Sequence, residues 1–124
     1  MPTRVRITFS NMSPTLITRR GHGTNAAVWI TAPPASLYPV GANIPHNSPL
    51  NTVKGRSGEA DLNAGGSVNM IYNVGAGATS TITVPEPAAP GAAPLVNIVN
   101  TGMVAATHQI SGNSHQWDIA INFR

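Results

Sequence analysis

The chain has 124 residues, no cysteine and only 9% charged side chains, with seven Lys and Arg set against four Asp and Glu for a formal net charge of +3. That length sets a single domain able to bury about two-thirds of the surface its unfolded chain exposes, so it needs no covalent staple to fold. The lack of cysteine excludes disulfides, thiolate metal ligands and a cysteine nucleophile, and the few scattered cations give no footprint for nucleic acid, which is not expected as a partner.

In chain order, "RVRITFS" alternates, with Val5, Ile7 and Phe9 on one side and Arg4, Arg6 and Thr8 on the other, the pattern of a half-buried strand. The opening residues have no apolar leader run, and no stretch of eighteen apolar residues exists to span a membrane. A soluble protein is expected, acting in the cytoplasm or carried on a virion. A second strand is expected over residues 26–31, with Val28 and Ile30 facing the core opposite Trp29. A third runs over 67–74, with Val68, Met70, Tyr72 and Val74 inward. "STITV" at 80–84 points Ile82 and Val84 inward. "LVNIVN" at 95–100 is apolar on both faces and suits a central or sheltered strand. Residues 105–110 and 116–124 complete the set, the latter with Trp117, Ile119, Ile121 and Phe123 on one face. Turns fall at "GAGA" (75–78), "NTGM" (100–103) and "SGNS" (111–114).

Two stretches break the pattern. Residues 32–66 hold five prolines without sustained alternation and read as a long irregular loop. Residues 85–94, "PEPAAPGAAP", hold four prolines. An interdomain linker there would leave thirty residues to fold alone without cysteine or metal, too few for a core. The segment is therefore an arm of one domain, extended by its prolines. The expected fold is all-β: a single antiparallel sandwich or jelly-roll-like domain over residues 1–124.

Chemistry-bearing residues are sparse. "RRGHGTN" reads as a polar loop between strands, and Arg19, Arg20, His22 and Asn25 with the nearby Trp29 form the one constellation that could hold an anion or a sugar. His115 and Asp118 lie three apart, which in a strand sets them on opposite faces and argues against a metal pair. His108 shares a face with Ala106 and Ile110 and is expected to be tucked in. Glu59 and Asp61 would share one side of an extended segment, and are read as a charged loop leading into the strand at 67. There is no GxSxG elbow, phosphate loop or dinucleotide fingerprint.

These features favour a non-enzymatic structural module without cofactor that self-associates or decorates a larger assembly such as a virion or surface layer. Its contacts are expected at Tyr38, Pro39, Pro85, Glu86, Pro87, Pro90 and Pro94, because proline-rich segments lose little entropy on docking. The alternative is a carbohydrate-binding, lectin-like domain with a glycan partner. A small hydrolase or metal-binding protein ranks third.

Overall fold

The computed structural model describes residues 3–13, 15–37, 57–75, 77–86, 92–113 and 116–124. Every regular element among them is a strand: β1 (Thr3–Asn11), β2 (Ile17–Thr31), β3 (Ser36–Leu37), β4 (Ser57–Asn73), β5 (Thr79–Pro85), β6 (Asn97–Asn100), β7 (Ala106–Asn113) and β8 (Gln116–Phe123). They form one eight-stranded sheet in the order β3-β2-β4-β1-β8-β7, with β5 on β4 and β6 on β5. The expectation of purely antiparallel pairing is corrected at its centre, where β1 and β8 run parallel from Arg4↔Gln116 to Asn11↔Phe123. Among the described residues the sheet does not close, since β6 pairs with β5 alone and β7 with β8 alone.

The branch lies in β4. Its first part, 57–62, sits between β1 and β2, and its second, 67–73, between β2 and β5. Between the two, residues 63–66 of β4 oppose the single residue Ala26 of β2. Both strands turn a corner there. Ala26 takes a left-handed φ of 49° and Gly65 one of 71°. Gly66 passes so close to β2 that a Cβ on it would lie 2.2 Å from the Ala26 carbonyl oxygen.

The corner lets the two parts of the sheet share a core. Val5, Ile7, Phe9, Ile119, Ile121, Phe123, Ala60 and Leu62 come from one side of it. Val68, Met70, Tyr72, Ile82 and Val84 come from the other. The Tyr72 ring centroid lies 5.3 Å from that of Phe9 and 5.7 Å from that of Phe123, at tilts of 51° and 63°. Its hydroxyl donates to the Pro34 carbonyl at 2.8 Å, so the burial of this phenol leaves no donor unmet. Two asparagines stitch the connections. Buried Asn11 donates to the carbonyls of Thr15 (2.7 Å) and Leu37 (2.9 Å) and accepts from Ser13 N–H (3.0 Å). Asn100 accepts from Ala106 N–H (2.9 Å) and donates to Ala106 O (3.1 Å), so its amide supplies the pair of bonds a neighbouring backbone would.

Several expectations change. β2 begins at Ile17, so "RRGHGTN" is strand and not loop. Val28 and Ile30 are 55% and 49% exposed, and Trp29 is the residue that packs on the core. The reason is register: Trp29 lies opposite buried Ala60, and Val28 opposite Asp61 on the outer face. Strand β4 starts at Ser57, which moves 57–66 out of the expected irregular loop, while residues 38–56 lie outside the described residues. The carboxylates of Glu59 and Asp61 therefore belong to a strand, not to a loop leading into one. β6 is an edge strand rather than a central one, and His108 is exposed. β7 continues through Ser111, Gly112 and Asn113, where a turn was expected. Pro85 closes β5 opposite Ser67.

Three substitutions test this architecture. Phe123→Ala should cost about 3–5 kcal/mol in chemical denaturation, the usual cost of emptying a buried aromatic site. At the corner, Ala26→Gly should be neutral or add up to about 1 kcal/mol by relieving the left-handed backbone. Gly66→Ala should lose about 1–3 kcal/mol through overpacking against Ala26.

Candidate functional site

Strand β2 carries the candidate cluster, and its irregularities decide which members meet. Directly opposed residues of an antiparallel pair point to the same face. Arg19 lies opposite Tyr72, His22 opposite Met70 and Trp29 opposite Ala60. All three partners are buried, so these side chains stand on the inner side of the bent sheet at its β2 margin. Because the strand turns at Ala26, His22 and Trp29 approach from opposite sides of the corner and meet edge to face, with ring centroids 6.1 Å apart at 75°. The indole N–H of Trp29 donates back to the Gly23 carbonyl at 3.4 Å. Arg19 is anchored by a hydrogen bond from its guanidinium to the Pro33 carbonyl.

Of the five residues proposed for this site, the structure thus gathers Arg19, His22 and Trp29. Arg20 is exposed where the register shifts between Arg19 and Gly21. Asn25 pairs with Ser67 on the other face of the sheet. The gathered set is a margin of one indole, one imidazole and one guanidinium, suited to stacking and to donating hydrogen bonds. His22 titrates below its ordinary value, first because of partial desolvation and second because of the Arg19 charge.

The other charged residues segregate. Arg4 holds Asp61 through two bonds of 2.6 and 3.2 Å and lies 3.5 Å from Glu59. The two carboxylates do share one side of an extended segment, where they neutralise arginine across the strand. Among the described residues no three His, Asp or Glu side chains gather around a common point for a metal ion. His46 and His115 lie outside the described residues.

Of the expected assembly contacts, Pro85, Glu86 and Pro94 are described; Tyr38, Pro39, Pro87 and Pro90 lie outside the described residues. The flanks of the 85–94 segment rest on the chain's own body. Glu86 N–H donates to Gly66 O (2.8 Å), its carboxylate accepts from Gly65 N–H (3.2 Å), and Pro94 is buried.

An open apolar cleft of about 510 Å³ at the turn end of the sheet, lined by Val74, Ala78, Gly102, Met103 and Val104, had no signal in the sequence. Gly75, Ala78, Thr101, Gly102 and Met103 come from two connections that read only as turns, with Thr15, Val74 and Val104 flanking them. No family model matches the chain, and no curated protein matches it.

The His22 environment gives a pH signature. With its folded value below the ordinary 6.5, the stability that neutral His22 supports is complete above that value and is lost as pH falls from it through the lowered one. An NMR titration should place His22 below an unfolded-peptide histidine. Arg19→Met should move it part of the way back, since desolvation is the larger cause and remains.

Proposed function

We propose that this chain is a non-enzymatic assembly module that works by contact, with itself or within a larger protein array such as a virion or surface layer. The observation that carries the reading is the apolar surface. Leu95 is 82% exposed, Val99 53% and Met103 fully so, alongside Val28 and Ile30. In a chain with so few charges to keep it apart from its neighbours, that much unburied apolar surface marks contact sites. In this reading the bent sheet acts as a two-layered sandwich, whose ring contacts across the corner make a rigid body. The own-chain bonds of Glu86 and the burial of Pro94 weigh against docking contacts at those two residues.

A second reading is favoured by the meeting of His22 and Trp29. A rigid indole at a polar margin with imidazole and guanidinium donors is the chemistry of a sugar-stacking site.

Sedimentation velocity from micromolar to millimolar protein separates the two. The assembly reading expects the mean sedimentation coefficient to rise with concentration, and a monomer throughout would overturn self-association. The carbohydrate reading expects neutral oligosaccharides to shift the Trp29 indole resonance and Trp29→Ala to abolish the shift. Unchanged spectra with a broad glycan panel would sink it.

A further inference from the structure

The two outward faces of the bent sheet differ in kind. The face built on β1, the first part of β4 and β8 carries Arg4, Arg6, Glu59, Asp61 and Asp118, aligned in register as Arg4↔Asp61, Arg6↔Glu59 and Arg6↔Asp118. The face beyond the corner carries no charged side chain at its register positions. Its first row runs Gly21, Ile71, Thr81, Val99, and its second Gly23, Asn69, Thr83, Asn97. The buried positions of β5 are Ser80, Ile82 and Val84, which sets Thr79, Thr81 and Thr83 outward in one line. Val99, half exposed on edge strand β6, and Leu95 just before it extend this face with apolar surface.

From this asymmetry we infer that the neutral threonine face of β5 and its neighbours is a docking surface for a second copy of this chain, joined face to face about a two-fold axis. The inference rests on the assembly reading and names its partner and its face. Charge decides the partner. Stacking the neutral face on the charged face of another copy would strip water from the Arg4–Asp61–Glu59 group, and desolvating ion pairs is costly. Neutral on neutral strips water from no ion pair, exposed Arg20 beside Gly21 being the one charge near its β2 margin, and a surface that matches itself gives a closed, isologous pair. The short Gly21 and Gly23 positions allow close approach, and the hydroxyls and amides of Thr81, Thr83, Asn69 and Asn97 can exchange hydrogen bonds with their counterparts. Size sets the strength. Three strand segments about seven residues long and the four-residue β6, about 4.8 Å apart, cover roughly 400 Å², near half of what each partner in a standard interface contributes. The contact is therefore weak alone and suited to repetition in an array.

The experiment compares the unmodified chain with Thr81→Lys and, on the charged face, Thr8→Lys in sedimentation up to millimolar protein, folding being confirmed for each by its NMR spectrum. Thr81→Lys should weaken self-association at least about tenfold, because each copy brings a like charge into the contact, and Thr8→Lys should leave it unchanged. Equal association of all three overturns the face while leaving the assembly reading standing. A monomeric unmodified chain overturns the face together with the self-association it rests on. Should Thr81→Lys not fold, the absence of native cysteine provides a second measurement. Thr81→Cys should be captured as a covalent dimer by a short bifunctional maleimide, and Thr8→Cys should not. Capture of Thr8→Cys instead overturns the proposal.

Discussion

The structure depends on one bend. Strands β2 and β4 stay paired through the corner at Ala26 and Gly66, so a single ribbon belongs to both halves of the sheet. Apolar residues on one side of a flat sheet would need a separate layer to cover them. Where the ribbon bends, apolar residues from both of its parts meet in one core, as Tyr72 does with Phe9 and Phe123. The close passage of Gly66 by the Ala26 carbonyl leaves no room for a side chain at the corner. The same bend brings His22 to Trp29 and parts the charged outer face from the neutral one. The core, the candidate margin and the neutral outer face therefore share a single geometric origin.

Where one face of a strand is apolar and the other polar, the sequence was readable. Strands β1, β5 and β8 alternate cleanly, and their inward residues are the buried ones. Strand β2 was not readable in this way. "AAVWIT" is apolar on both sides, so alternation could not choose between Trp29 and the Val28–Ile30 pair, and the register shifts in β2 break the parity that links one end of the strand to the other. The first part of β4 was hidden for a different reason. Its inward positions include Gly58, which lies under Pro33, and its outward ones are the acids that pair with Arg4. An inner face that begins with Gly58 and Ala60 before it reaches Leu62 gives little hydropathy signal.

The candidate margin was half legible. Proximity in sequence grouped Arg19, Arg20, His22, Asn25 and Trp29, but only the corner and the register shifts decide that Arg19, His22 and Trp29 share the inner side. The neutral face could not be read at all from a linear pattern, because its rows are assembled from β2, β4, β5 and β6 across the sheet. Its components, Thr–x–Thr–x–Thr in β5 and isolated Asn and Gly elsewhere, are ordinary in any polar strand.

The parallel pairing of β1 with β8 has a consequence for how the chain acquires its shape. The first strand takes its central place only when the last is present to flank it, since Arg4 through Asn11 lie against Gln116 through Phe123. Nearly the whole chain must be gathered into one loop before that ladder can form, and the chain entropy lost in the gathering is not recovered until it does. Such long-range pairing slows folding. During synthesis, β1 and its apolar row of Val5, Ile7 and Phe9 would wait, lacking one of their two neighbours, until the C-terminal strand emerges. With only 9% charged side chains, there is little like-charge repulsion to keep copies apart while that apolar row stands without its β8 neighbour.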